Sequence, residues 1–479
     1  MAIDSSPPKG ETKQGTSGTL GTGLKSRHVT MISIAGVIGA GLFVGSSKAI
    51  ALAGPAVLIA YLTAGLLVVL VMRMLGEMAA ANPDSGSFST YADRSIGRWA
   101  GFSIGWLYWW FWVLVIPLEA VAAAIILNSW IPAVATWIWA LGITLILTIT
   151  NLVSVGNYGE FEFWFALLKV VAIIGFIVIA GLAVLGLLPG SNVSGAEHLV
   201  SDGGFFPNGF GAVPAALLTT MFTFMGTEIV TIAAAESANP AKEIRKATNS
   251  VIWRISLFYV ASIFLVVSLV PWNSEVLAAN GSFQSALDAI GIPNAKIIID
   301  IVILVAVASC LNSALYTASR MMFSLAQRGD APKSIAKVSK NGVPTNAVLL
   351  STVVGFIAVG FNFLAPEAVF STLLATSGAV ALLVYLVIAV SQLRLRAKTE
   401  AAGTEMPIKM WAFPVLTWLV IIFIPVVLIY MAIGSDLKLE LYATAILAVV
   451  VVAIGLIVQR LNKGKHGEVV KEAEVTSGH

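Results

Sequence analysis

Three ionisable residues stand inside long apolar stretches of this 479-residue sequence: Glu119 in "VIPLEAVAA", Lys169 in "FWFALLKVVAII" and Glu228 in "FMGTEIVTI". A charge at the centre of a helix in hydrocarbon costs about 2.5–3.5 kcal/mol, so each must face protein or a wet cavity. Another apolar stretch, "IAGVIGAGLFVG" at 34–45, carries Gly36, Gly39, Gly41 and Gly45. A glycine costs a helix about 1 kcal/mol against alanine, which weakens the segment at its middle. Gly226 does the same in "TTMFTFMGTEIVTIAAAE", between Thr223 and Thr227. A helix unwound in this way presents free N–H groups, which suit a carboxylate, and free C=O groups, which suit an ammonium. Together the two ends suit a zwitterion. Metal and acyl-transfer chemistry lack their ligands. His28, His198, His466 and His479 all fall outside the apolar stretches, and neither HExxH nor GxSxG occurs. The one cysteine, Cys310, excludes an internal disulfide and any cysteine-based metal site, and no cofactor is implied.

The elements that position these groups follow from composition. Apolar residues make up 58% of the chain and charged residues 11%, too little charge to cover a soluble protein of this length. Runs of about 20 apolar residues, long enough to span hydrocarbon as helices, lie near 29–47, 54–79, 98–126, 131–152, 161–188, 211–235, 249–272, 296–324, 343–364, 367–392, 410–433 and 440–460. The alternation of a membrane β-barrel is absent. The fold expected is an all-α integral membrane protein with twelve transmembrane helices. Of 28 basic residues, only Lys48, Lys296 and Lys438 fall in the loops of one side and Lys169 inside a span. The remainder lie on the side of both termini, which places both termini in the cytoplasm. The net charge of +3 is thereby explained without a nucleic-acid partner. Residues 1–28 and 461–479 read as cytoplasmic tails, the former lacking the apolar core of a signal peptide and both of them disordered.

Three classes of membrane protein compete. An intramembrane enzyme lacks a metal site or nucleophile, and no repeated filter or charge ring suggests a channel. A secondary transporter requires broken helices in corresponding positions of two repeats, with charges near the midplane. The glycine-weakened segments are spans one and six, the positions related by a five-plus-five inverted repeat. Close helix packing remains an alternative for the glycines, since "GLFVG" is a small-xxx-small pair. A buried Glu–Lys pair remains one for the charges. Glu228 could instead brace unwound backbone by accepting its N–H groups. Lys169, as an ammonium beside an unwound helix, can stand where a sodium ion would and couple transport to protons. Asp300 and Arg320 read as interfacial, and Arg73 and Glu77 as structural.

The stretches "GLKSRHVTMISIAGVIGAGLFVGSS" at 23–47 and "GEMAAANPDSGSFSTYADRSIGRWAGFSIGWLYWW" at 76–110 resemble amino-acid permeases of the amino acid–polyamine–organocation superfamily. The run to "FWVLVIPLEA" is most similar to its bacterial 4-aminobutyrate (GABA) branch, and "NYGEFEFW", "FMGTEIVTIAAAESANP" and "SCLNSALYTASRMMFSLAQRGDAP" agree. The resemblance implies two five-helix inverted repeats, 29–188 and 211–392, with helices one and six unwound and two additional helices at 410–460. It implies proton-coupled uptake of an amino acid by alternating access across a bacterial inner membrane. The substrate carboxylate would meet amides around Ile38, Gly39, Ala40 and Gly41. The amine would meet carbonyls of span six around Phe222, Met225, Gly226 and Thr227, with Glu228 beside them. Lys169 carries over as the proton-coupling lysine. Glu119 is expected to meet the amine of an extended ω-amino acid. Cys310, Asn312 and Tyr316 are expected to line the pathway, with packing as the alternative. Aromatic permeases share the glycine motif, "GSFS" and a segment like "FNFLAPE", so GABA leads and aromatic or other neutral amino acids follow.

Overall fold

The computed structural model describes residues 24–35, 38–39, 41–153, 155–191, 193–364, 366–403, 406–434 and 438–476. Among these the chain is all-α, without a sheet; Leu24 and Ser237 make an isolated parallel bridge. The first helices are α1 (Ser26–Ala35), α2 (Ser46–Ala53), α3 (Val57–Ala81), α4 (Ser87–Ser95), α5 (Arg98–Trp130), α6 (Thr136–Val153) and α7 (Val155–Val184). Then come α8 (Ala212–Phe224), α9 (Ile229–Ala235), α10 (Pro240–Arg254), α11 (Ser262–Leu269), α12 (Glu275–Asn280), α13 (Ser282–Ala289) and α14 (Ala295–Gln327). The chain ends with α15 (Thr345–Leu364), α16 (Pro366–Ala401), α17 (Val415–Gly434) and α18 (Lys438–Thr476).

Ten helical runs among the described residues are long and apolar enough to cross a membrane. This is a multi-pass integral membrane protein. One of those runs, Gly41–Ala81, has 41 residues. At 1.5 Å per residue it is about 60 Å long, twice the hydrocarbon thickness. It turns at Gly54, where φ is +61° and an added Cβ would strike Pro207, and Pro55 then restarts the helix.

Burial sorts the helices. The span Ala212–Ala235 is 94% buried and that of α5 83%, whereas that of α18 is 17% buried and those of α6, α7 and α17 each 28%. The first two therefore form the centre of the bundle, with α14 packed along α5. On the outer helices Ile422, Val426, Ile446 and Val449 are exposed, as expected for faces solvated by lipid tails.

Charges at the rim tie the periphery down. Glu77 of α3 takes Arg396 Nη1 at 2.7 Å, Gln392 Nε2 at 2.8 Å and the Met410 N–H at 2.6 Å. Asp300 accepts from Lys296 Nζ at 2.8 Å and Trp130 Nε1 at 3.3 Å. Arg320 departs from its interfacial reading. It is 1% exposed and its Nε lies 3.1 Å from Glu236 Oε1, because residues 309–326 of α14 are buried on every face and leave no interface for the side chain to reach.

The tails also differ from expectation. Leu24 and His28, inside the stretch read as disordered, are buried, whereas residues 1–23 lie outside the described residues. The other tail continues α18 helically to Thr476. Its Lys and Glu residues are compatible with a helix even where no apolar face demands one.

Candidate functional site

At each of the two glycine-weakened segments a buried helix stops and restarts. α1 ends at Ala35, Ile38 and Gly39 are not helical, and the chain re-enters through a wide π-type turn over Gly41–Gly45. Ala40, expected among the carboxylate-binding amides, lies outside the described residues. In the sixth span α8 stops at Phe224. Met225 is extended, Gly226 has φ +106°, and α9 starts at Ile229. Only glycine adopts that φ without strain, so Gly226 fixes where the helix opens.

The breaks meet. Thr223 Oγ1 donates to the Gly41 carbonyl at 3.2 Å. A narrow cavity lies between them, lined by Gly39, Gly41, Phe111, Trp112, Val115, Glu119, Phe222, Thr223, Met225 and Cys310. Six of the residues singled out in the sequence thus share one cavity: Gly39, Gly41, Glu119, Phe222, Met225 and Cys310. Glu119 comes from the middle of α5 and is the only carboxylate in the lining; Gly39 packs directly against it and Cys310. Three aromatic rings, Phe111, Trp112 and Phe222, make one wall. Sequence reasoning missed Phe111, Trp112 and Val115, since α5 is largely buried and shows no apolar stripe from which a cavity-facing direction could be read.

The remaining candidates stand around the cavity rather than in its lining. Glu228 turns onto the break itself: it accepts the Gly226 N–H at 3.2 and 3.1 Å and the Tyr108 hydroxyl at 2.8 Å. Thr227 Oγ1 donates to the Phe224 carbonyl at 2.6 Å. Both side chains therefore satisfy backbone groups that unwinding would leave unpaired in a dry interior, at a cost of about 1–3 kcal/mol each. Lys169 lies behind the first break, its Nζ donating to the Ile38 carbonyl at 3.1 Å and to Ser309 Oγ at 2.9 Å. Asn312 Oδ1 accepts from Asn151 Nδ2 at 2.7 Å. Tyr316 stacks on Tyr158 at 4.2 Å between centroids, with the Arg320 guanidinium 4.0 Å from its own ring.

Below that stack the Arg320–Glu236 pair joins α14 to the residue following α9. Breaking a buried pair leaves one charge uncompensated, at about 3–5 kcal/mol. Glu236→Gln is therefore expected to lower the thermal unfolding midpoint of the detergent-purified protein markedly. A midpoint within one or two degrees of wild type would show the arginine to be satisfied by the Tyr316 ring and Ser319 alone.

Opposite, Phe283 of α13 packs on Phe43 at 4.9 Å and on Phe176 at 4.6 Å, and Ser46 and Ser282 share a 2.6 Å hydrogen bond.

A multi-pass bundle whose two interrupted central helices meet at a small lined cavity is the architecture of a membrane transporter of small solutes. The chain belongs to the amino acid permease family, which it matches over residues 28–469. It is 65% identical over 451 residues to the probable GABA permease of Pseudomonas aeruginosa, covering 94% of this chain and 95% of that one. It is 61% identical to the gamma-aminobutyric acid permease of Escherichia coli, with 93% and 95% covered. To the aromatic amino acid transport protein AroP of Corynebacterium glutamicum it is 43% identical, with 89% and 93% covered. The fold is similar to the crystal structure of a manganese transporter from Eremococcus coleocola, with a TM-score of 0.56 at 15% identity over 95% of this chain and 96% of that one. The function is secondary amino-acid transport; among the described residues no cluster of His, Cys, Asp and Glu could hold a metal.

Proposed function

We propose that this permease takes up GABA with protons by alternating access, across a bacterial inner membrane and with both termini in the cytoplasm. Its twelve spans fall into two inverted five-helix repeats, 29–188 and 211–392, followed by two further helices at 410–460. Folding of the 41-residue run at Gly54 and the shorter apolar helix Thr345–Ile357 support twelve crossings. The substrate carboxylate meets the amides of residues 38–41. The amine meets Glu119 and the carbonyls exposed after Phe222, and Lys169 carries the coupling proton. Glu228 and Thr227 brace the second break, and Asn312 and Tyr316 support the pathway from behind.

The observation that bears on the substrate is Glu119, the one carboxylate in the lining, which stands directly against Gly39 of the first break. An α-amino acid places its ammonium beside its carboxylate, within reach of backbone groups alone. GABA holds the two apart, so its ammonium calls for an anion besides the backbone groups. The names of the relatives at 65% and 61% identity agree. A second reading, an aromatic amino acid, is favoured by the wall of Phe111, Trp112 and Phe222.

Labelled GABA uptake into proteoliposomes under an inward proton gradient separates them. Uptake is expected to be blocked by unlabelled GABA and close ω-amino acids and left unchanged by phenylalanine. Weak GABA uptake with strong phenylalanine competition would move the protein to the aromatic branch.

A further inference from the structure

Glu162 of α7 is fully buried and has no part in the cavity. Its Oε1 accepts the Ser309 hydroxyl at 2.5 Å, while Ser309 Oγ accepts from Lys169 Nζ at 2.9 Å. Oε2 has no hydrogen-bond partner, and neither has the Nδ2 of Asn312, one turn beyond Ser309 on α14. A brace between helices would place the ammonium on both carboxylate oxygens, since an unmet oxygen in a dry interior is costly. Here a hydroxyl is interposed, and all its capacity runs one way: ammonium to hydroxyl to carboxylate. That is the arrangement of a proton wire with an open terminal acceptor.

We propose that Glu162 is the second proton carrier of this permease, exchanging the coupling proton with Lys169 through Ser309. The inference rests on the proton-coupled reading above. In the step, Lys169 gives a proton to Ser309 Oγ as the hydroxyl passes its own to Glu162 Oε1. An ammonium and a carboxylate become an amine and a carboxylic acid, the hydroxyl is restored, and the net charge of the pair is zero throughout. Loss of the proton from Glu162 completes its passage, and a proton arriving at Lys169 resets the pair. Glu162 lies seven residues nearer the Val155 end of α7 than Lys169, about 10 Å along the axis. In the proposed topology that is the cytoplasmic end, so the wire leads inward.

Ionisable groups face this pair from α7, α14 and α5. Tyr158 on α7, Cys310 on α14 and, beside Lys169, Glu119 on α5 are the titratable neighbours. Arg320 of α14, near Tyr158, is held by Glu236. Arg27 and His28 of α1 are engaged by Glu160, and α6 and α11 contribute no ionisable side chain.

The test uses the full chain in proteoliposomes containing a pH-sensitive dye. It reads labelled GABA counterflow without a gradient, accumulation under a gradient, and GABA-induced acidification of the lumen. Glu162→Gln is expected to keep counterflow within about twofold of wild type and to lose accumulation and acidification, a tenfold effect for a gradient of about one pH unit. Ser309→Ala is expected to show the same split, with Gly175→Ala as an inert control on α7, since an added Cβ there meets nothing within 4 Å. Wild-type accumulation by both Glu162→Gln and Ser309→Ala would overturn the wire. So would a Glu162→Gln protein that loses counterflow in step with accumulation, which marks a structural role. Wild-type protein that transports GABA without gradient-driven accumulation would instead bring down the proton-coupled reading beneath it.

Discussion

Lys169→Gln is expected to bind substrate within a few-fold of wild type and to accumulate none of it against a gradient. An inward gradient of one pH unit is worth about 1.4 kcal/mol, so a one-proton symporter accumulates its substrate about tenfold. Glutamine can still donate to the Ile38 carbonyl, which Lys169 Nζ now reaches at 3.1 Å, so the first break keeps its brace. What it cannot do is gain and lose a charge. The inside-to-outside ratio at steady state should fall to one, while exchange of labelled for unlabelled substrate continues. A mutant ratio equal to that of wild type would remove the coupling role from Lys169. Comparison with Glu162→Gln then separates the carriers: the two variants should fail alike in accumulation.

The second large effect is expected at Gly39. A Cβ there would sit 2.7 Å from Glu119 Oε1, 2.8 Å from Cys310 Sγ and 2.9 Å from Cys310 Cβ. None of these neighbours can retreat cheaply, because Glu119 and Cys310 are themselves buried. Overpacking of this kind costs about 1–3 kcal/mol, and here it falls on the cavity wall that holds Glu119. Gly39→Val adds two methyl groups beyond that Cβ and stiffens backbone that must stay unwound. Substrate affinity should drop by at least about a hundredfold, the equivalent of roughly 2.7 kcal/mol. Isothermal titration on the purified protein checks this. Gly175→Ala and an unfolding midpoint show whether the fold survives. Normal affinity in a folded Gly39→Val protein would mean that the glycine serves helix packing and not the ligand.

These expectations rest on different layers of information. Span lengths, the two glycine-weakened positions and the three stranded charges are properties of local sequence. Hydrocarbon imposes a length on every crossing and a penalty on every unpaired group, so composition alone marks where the chain is apolar, where it breaks and where a charge must be answered. Direction is another matter. Around a helix buried on all sides, 3.6-residue periodicity carries no contrast, and the side-chain pattern does not say which residues look inward. Hence Phe111, Trp112 and Val115 carry no mark in the sequence, while Glu119, on the same helix, is marked by its charge.

Glu162 shows the same limit. Its carboxylate lies seven residues before Lys169, nearly two full turns and so the same face, and that spacing was there to be read. At the head of a span, however, a carboxylate is ordinarily taken up by headgroups and water. Only the packing of α14 against α7, which sets Ser309 between the two side chains, makes them one unit. Arg320 is the converse, a cation near the end of its span that the bundle encloses with Glu236. Glu228, two residues after its glycine in sequence, could serve ligand or backbone, and the torsions at Met225 and Gly226 turn it to the backbone. The sequence by itself determined the solvent, the crossings and the weak points, because those depend on free energies of transfer and local propensity. The tertiary structure alone decided which groups share a cavity and which share a proton, because that depends on the rotation of each helix about its own axis.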